Sequence, residues 1–93
     1  MKNQYHHLAS GAAYIHQHGV DPYFKKGYND YMKELPFDYD IQDRRNACMY
    51  ERGRAFGVYT KIAKAPKATW RNNKLSKAAG ERLLTAAYYK YVI

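Results

Sequence analysis

Two prolines frame a helix in the first half of the chain and leave that segment few alternatives. Asp21 places a hydrogen-bond acceptor at the N-cap, and Pro22 follows at the first helical position, where a missing N–H group costs nothing. The helix ends before Pro36, because the residue that precedes a proline avoids the α region. The sequence therefore predicts a helix over residues 21–35. Its aromatic side is expected to pack inward: Tyr23, Phe24, Tyr28 and Tyr31.

Helical spacing of apolar residues recurs along the rest of the chain, and no stretch alternates with period two between hairpin turns. We therefore expect helices and no strands. The further predicted helices cover residues 3–17, 41–63 and 76–92, and Ser76 is expected to cap the last of them. Pro66 and the pair Asn72-Asn73 mark the intervening residues 64–75 as a loop.

Length and helix order together define the predicted architecture. Ninety-three residues suffice for one domain, which we place over residues 1–93. The predicted fold class is all-α, a small four-helix domain. Its centre is an antiparallel hairpin formed by the helices near residues 21–35 and 41–63, and the outer helices are expected to pack on this pair.

A seven-residue repeat in the third helix predicts its buried stripe: Ile41, Cys48, Ala55 and Ile62. Residues at this spacing lie on one face of a helix, and Asp38 or Asp40 is expected to cap it. Cys48 is the chain's single cysteine, so it forms no intrachain disulfide, and a lone thiol fits a reducing compartment. Since no base motif accompanies it, we interpret Cys48 as a small buried hydrophobe and not as a nucleophile.

Several function classes find no support in the sequence. The N-terminal segment lacks the unbroken apolar core of a signal peptide, and the apolar runs fall short of the roughly 18 residues of a membrane span. We therefore predict a cytoplasmic protein without a membrane partner. Familiar metal-ligand spacings and nucleotide or hydrolase motifs are also missing. The prediction is a non-enzymatic protein with no cofactor, no metal and four solvated histidines: His6, His7, His16 and His18.

Charge is distributed unevenly along the chain. Residues 1–43 carry four Lys or Arg against six Asp or Glu, whereas residues 44–93 carry twelve against two. The net charges of the two parts are therefore −2 and +10. A dense basic half produces a directional field, and nucleic acid is its commonest partner.

The basic half contains the candidate binding residues: Arg44, Arg45, Arg52, Arg54, Lys61, Lys64, Lys67, Trp70, Arg71 and Lys74. The planar fork of arginine matches phosphate oxygens, and Trp70 among cations is placed to stack on an unpaired base. Arg45 and Arg52 share a helix face with the expected stripe, so they can instead extend around the core. Of the eleven tyrosines, Tyr50 and Tyr59 lie near arginines and are candidates for contact.

The segment GYNDYMKELPFDYDIQDRRNACMYERGRAF resembles the ribosome modulation factor family within residues 21–57. Gly27-Tyr28 matches a Gly-Tyr pair, and Pro36-Phe37 matches a connector in which Leu35 stands where the family has cysteine. Arg44 and the run from Tyr50 to Gly53 resemble a basic residue followed by an aromatic-x-x-Gly element, with tyrosine for tryptophan and about four extra residues. The resemblance implies a small basic helical pair that binds ribosomal RNA and helps silence the ribosome. Related short domains occur in phages and mobile elements.

Two functions are compatible with these features. The leading prediction is non-enzymatic binding of RNA or of a nucleoprotein such as the ribosome. The alternative is a phage-encoded inhibitor or adaptor that docks onto an acidic host protein, for example a nucleic-acid-handling enzyme, because tyrosine and arginine also dominate protein–protein hot spots.

Overall fold

The computed structural model of the protein describes residues 11–90. Its elements are α1 (Gly11–Gly19), α2 (Pro22–Met32), α3 (Arg44–Ile62), β1 (Trp70–Arg71), β2 (Lys74–Leu75) and α4 (Lys77–Tyr88). Helices make up 64% of the described residues, which confirms the mostly helical prediction. The two short strands were not predicted. Parts of the predicted helices 3–17 and 76–92 lie outside the described residues, as do His6 and His7.

Side-chain caps start α2, α3 and α4, and two of these three caps were predicted. The Asp21 carboxylate accepts hydrogen bonds from the backbone N–H groups of Tyr23 and Phe24 at 2.8 and 3.1 Å. Ser76 caps α4. The cap of α3 is Asp43, which accepts from the backbone N–H of Asn46 at 2.9 Å, and not Asp38 or Asp40 as predicted. Those two residues form a turn of their own, in which the Asp40 N–H donates to the Asp38 carboxylate.

Glycines set the contact between α2 and α3. A Cβ atom on Gly53 would overlap the Phe24 carbonyl oxygen, and one on Gly27 would overlap the Tyr50 carbonyl oxygen. Further along, Gly57 faces the Tyr31 side chain. Contacts at the two ends of α2 show how the helices run: Arg45 lies beside Asp21 and Lys61 beside Glu34, so later residues of one helix meet later residues of the other. They do not confirm the predicted antiparallel hairpin.

The connector of residues 33–43 explains this arrangement. Eleven residues of extended chain reach about 36 Å, whereas α2 is only about 16 Å long. The connector can therefore return along the helix and start α3 beside the start of α2. There, Arg45 Nη1 lies 3.5 Å from the Asp21 carboxylate. Midway, the Asp38 N–H donates to the Tyr50 hydroxyl at 3.1 Å, which ties the returning chain to α3.

The buried stripe of α3 differs from the predicted one. Cys48 is exposed and Ile62 is 56% exposed, while Ile41 and Ala55 are half-buried. The prediction of a buried Cys48 was therefore wrong. The residues that face the core recur at steps of three and four and include glycines and a threonine: Met49, Tyr50, Gly53, Phe56, Gly57 and Thr60. Close contact between α2 and α3 requires small residues on this face of α3. The pattern of apolar residues alone therefore did not identify the buried face.

The two strands form an antiparallel hairpin that pairs Trp70 with Leu75 and Arg71 with Lys74. Asn72 and Asn73 form its two-residue turn with φ angles of 53° and 60°, as type I′ turns require, and asparagine tolerates this left-handed region. The segment before the hairpin is held to α2, because the Ala68 N–H donates to the Tyr28 hydroxyl at 2.7 Å. Between residues 11 and 90, none of the helices combines the length and apolar character that a membrane crossing requires.

Candidate nucleic-acid interface

The hairpin has an inner and an outer side, because side chains alternate across strands. Leu75 is buried and Trp70 half-buried on the inner side, whereas Arg71 and Lys74 are exposed on the outer side. We call the outer surface, with its turn and the first residue of α4, the hairpin face. It consists of Thr69, Arg71, Asn72, Asn73, Lys74, Ser76 and Lys77.

Two cations stand directly opposite each other on the hairpin face. Arg71 and Lys74 are cross-strand partners, and like charges in this position destabilise a hairpin. Neither takes part in an ion pair within the described part of the chain, where the cations in ion pairs are Lys26, Arg45 and Lys61. Arg71 and Lys74 both remain free to contact an anion.

Hydrogen-bond donors dominate the rest of the hairpin face. Most residues of the face line a shallow hollow of about 590 Å³ together with Trp70 and Leu75, whereas Asn73 lines a different hollow beside Asp21 and Lys25. The Ser76 hydroxyl oxygen accepts from the Ala79 N–H at 3.4 Å, and this leaves its O–H group available to donate. Hydroxyl, amide and cationic donors are the groups that contact phosphate oxygens and sugars in nucleic-acid complexes. The positive end of the α4 dipole adds to the favourable potential.

The basic residues of α3 contact their own chain instead. Arg54 donates from Nη1 to the Leu35 carbonyl oxygen at 3.1 Å, and its guanidinium lies over three aromatic rings, those of Tyr31, Phe37 and Tyr50. It thereby fastens the connector to α3. Lys61 lies 3.9 Å from the Glu34 carboxylate, and its Nζ is 5.0 Å from the centre of the Tyr31 ring. Tyr50, a candidate for outside contact, is fully buried in this cluster.

Arg52 reaches the most buried histidine of the described chain. His18 is 1% exposed, so the prediction that all four histidines are solvated was wrong for this one. Its Nδ1 lies 2.9 Å from the Tyr14 carbonyl oxygen, and its Nε2 lies 3.1 Å from Arg52 Nη1. The carbonyl only accepts and the guanidinium only donates, so His18 is neutral with its proton on Nδ1. Burial lowers the pKa of His18, and the Arg52 charge adds to this effect while the bond to Tyr14 opposes it.

Trp70 braces the hairpin from its inner side. Its Nε1–H donates to the Gly19 carbonyl oxygen at 2.7 Å, and its ring centre lies 5.6 Å from that of Tyr28. Lys25 Nζ lies 5.6 Å from the Trp70 ring centre. These contacts give the indole a structural role. Its stacking on a base stays a prediction.

The structure therefore divides the ten predicted residues. Arg45, Arg52, Arg54, Lys61 and Trp70 make contacts within the chain, whereas the others are exposed without an ion pair in residues 11–90: Arg44, Lys64, Lys67, Arg71 and Lys74. The residues predicted from the sequence did not include Asn72, Asn73 and Lys77 of the hairpin face. They also did not include its two hydroxyl residues, Thr69 and Ser76. The signal that would have found them is the Asn-Asn pair, because adjacent asparagines suit a two-residue hairpin turn.

Metal-ligating residues do not converge in the described part of the chain, where no group of three His, Cys, Asp or Glu side chains is placed to hold an ion. Exposed Cys48 instead lines a shallow hollow with Arg44, Arg45 and Arg52.

Four of the residues that carry the resemblance to ribosome modulation factors lie at the contact between α2 and α3. Gly27 and Gly53 allow the helix backbones to meet, and Tyr28 and Tyr50 are fully buried beside them. These four residues therefore pack the helix pair, whereas Pro36, Arg44 and Glu51 of the same resemblance are exposed. Comparison of the chain with protein-family models, curated proteins and solved structures finds no match.

Proposed function

We propose that the protein is a non-enzymatic binder of RNA or of a nucleoprotein such as the ribosome, and that the hairpin face is its contact surface. Lys64 and Lys67, in the exposed segment that enters the hairpin, extend this surface. The observation that carries the proposal is the cross-strand pair of Arg71 and Lys74. A phosphate backbone over this pair would turn a repulsive arrangement into two charge-assisted contacts.

Salt dependence tests this proposal. Each phosphate contact adds about 0.7–0.9 to the slope of log affinity against log salt concentration, since bound counterions are released. The double variant Arg71→Ala with Lys74→Ala should therefore lower the slope by about 1.5 in fluorescence-anisotropy titrations of a labelled RNA. Lys33→Ala is the control, because Lys33 is exposed at the end of α2, outside the hairpin face. An unchanged slope in the double variant would contradict the assignment of this surface.

The alternative is an inhibitor or adaptor that docks onto an acidic host protein. It is favoured by the same donor-rich face, which also suits carboxylates, and by Tyr39, which is 84% exposed on the connector. A tagged protein drawn from host lysate, with and without nuclease, separates the two. Recovery of RNA or ribosomes that is lost after nuclease treatment supports RNA binding. One stoichiometric protein that survives nuclease supports the adaptor.

A further inference from the structure

A groove between α1 and α4 adjoins the hairpin face. Its volume is about 450 Å³, and Ile15, Leu75 and Leu84 line it with apolar surface. Clefts of about 300–1,000 Å³ with mainly apolar walls and a few polar groups are typical of small-molecule sites. We call this feature the α1–α4 groove.

The α1–α4 groove and the hollow of the hairpin face share one border. Lys74, Ser76 and Lys77 line both. A ligand that places an anionic group at this border can therefore extend an apolar part into the groove. Nucleotides have this combination, since a phosphate and a flat base are joined through one sugar.

We propose that the α1–α4 groove receives an unpaired base of the RNA strand whose phosphate lies at Lys74 and Lys77. This assignment rests on the proposed function and makes it more specific, because a base held in a duplex cannot enter the groove. It also explains how the protein can contact a base although Trp70 is bonded to Gly19 and packed on Tyr28. The preferred target is therefore a single strand or a loop, the form in which RNA sequence is usually recognised.

Polar groups in the groove indicate which base edge fits. Glu81 lines the groove and offers a hydrogen-bond acceptor, and exposed His16 lies on the opposite helix. A carboxylate accepts from the exocyclic amino group of cytosine, whereas uracil presents a carbonyl oxygen at the same position. Oligocytidine should therefore bind more tightly than oligouridine of equal length.

The test fills the groove and compares two probes. Ala12 is exposed and lines the groove, so Ala12→Phe should occupy it without entering the core. We expect this variant to bind a single-stranded RNA decamer about tenfold more weakly, the loss of one stacked base. Its affinity for inorganic polyphosphate, which has phosphates and no bases, should not change. Ala13→Phe is the matched control, because exposed Ala13 does not line the groove, and it should leave both affinities at the parent value.

A second groove-filling variant and a charge variant distinguish failure of the base site from failure of the proposed function. Val20 directly follows α1, is 40% exposed and also lines the groove, so Val20→Trp should repeat the selective loss. Lys74→Glu with Lys77→Glu should weaken both probes. If the charge variant loses RNA while both folded filling variants bind RNA like the parent, the base site is wrong and the proposed function stands. If the parent binds neither probe at low salt, the proposed function itself fails.

Discussion

Gly27 and Gly53 determine how closely α2 and α3 approach, because neither position leaves room for a Cβ atom. A methyl group on Gly53 would overlap the Phe24 carbonyl oxygen, which belongs to a helix backbone and cannot rotate away. On an isolated helix the same change would stabilise by about 1 kcal/mol. The overlap must outweigh this gain, since separating two packed helices also opens the core between them.

Gly53→Ala should therefore lower the free energy of unfolding by more than about 2 kcal/mol, a loss typical of overpacked contacts. Urea denaturation followed by circular dichroism measures it. Gly57→Ala is the comparison, because its Cβ atom would meet the Tyr31 ring at 2.7 Å, and a half-buried side chain can move. Its loss should be smaller. A Gly53→Ala protein as stable as the parent would show that the helix contact is looser than described.

His18 couples stability to pH. Burial lowers its pKa in the folded state below the 6.5 of an exposed histidine, and Arg52 and Arg45 act in the same direction against Asp21 and the Tyr14 carbonyl. Between the folded and unfolded pKa values, the unfolded chain binds more protons than the native one. The free energy of unfolding therefore rises with pH in this window. The contribution is complete above pH 6.5 and is lost as pH falls through 6.5 toward the folded value.

We expect urea unfolding from pH 8 to pH 5.5 to show constant stability down to about pH 7 and a decline below it. His18→Gln should flatten the decline, although it also removes buried contacts. His16→Gln is the control for the substitution itself, because it replaces an exposed histidine of the same helix and keeps the buried contacts of His18. A decline of equal steepness in parent and His18→Gln would assign the effect to other groups.

At the scale of elements, the hairpin carries two opposed cations whose repulsion acts against its folding. Replacing Lys74 by glutamate would place an opposite charge against Arg71, and such cross-strand pairs contribute about 0.2–1 kcal/mol. Lys74→Glu should therefore raise the free energy of unfolding while weakening RNA binding. Lys74→Gln should fall between the parent and Lys74→Glu in both measurements. Urea denaturation and anisotropy titration measure the two effects, and a destabilised Lys74→Glu would show that the like-charge pair carries no cost.

Element starts were predictable where the signal was local. The caps at Asp21 and Ser76 depend only on the capping side chain and the three residues that follow it, so each cap can be recognised from a short stretch of sequence. The buried face of α3 was not predictable in this way, because it is determined by the contacts of Gly53 and Gly57 with α2. Glycine has no apolar side chain to mark that face.

The connector illustrates the same limit over a longer distance. Pro36 correctly indicated that α2 must end, but the direction of the returning chain depends on contacts between residues far apart in sequence. Arg54 holds the Leu35 carbonyl, and Lys26 forms an ion pair with Asp38 at 3.2 Å. Hydrogen bonds from the Asp40 N–H and from Lys26 lower the pKa of Asp38, so this anchor persists in mild acid.

The positive charge of the candidate site could be predicted from the sequence, but the arrangement of its side chains could not. The density of cations after residue 43 indicated an anionic partner, and Arg71 and Lys74 lie where such a partner can reach them. The sequence did not show that Arg52 and Arg54 would turn to His18 and Leu35, because those partners lie 34 and 19 residues away. Long cationic side chains serve either role, and only the packed neighbours decide between them.

Across the whole molecule, repulsion among cations should oppose folding. The chain has a net charge of +8, and four ion pairs within residues 11–90 engage three of its cations: Lys26, Arg45 and Lys61. Folding brings the remaining cations closer together, and a net charge far from zero destabilises the compact state. Salt screens charges separated by more than about 10 Å at 0.1 M. Exposed pairs such as Lys61 with Glu34 contribute little.

The melting temperature should therefore rise as sodium chloride increases from about 10 to 150 mM, a range in which screening dominates over general salt effects. Differential scanning fluorimetry measures this rise. Lys74→Glu with Lys77→Glu lowers the net charge by four and places a carboxylate opposite Arg71 in place of a cation, so its melting temperature should depend less on salt. Inorganic polyphosphate should raise the melting temperature of the parent further, because a ligand of the native state stabilises it by mass action, and it should affect the double variant less. A parent melting temperature that falls with added salt would show that attractive ion pairs outweigh the repulsion among cations. The unpaired cations of the hairpin face would then not destabilise the folded protein.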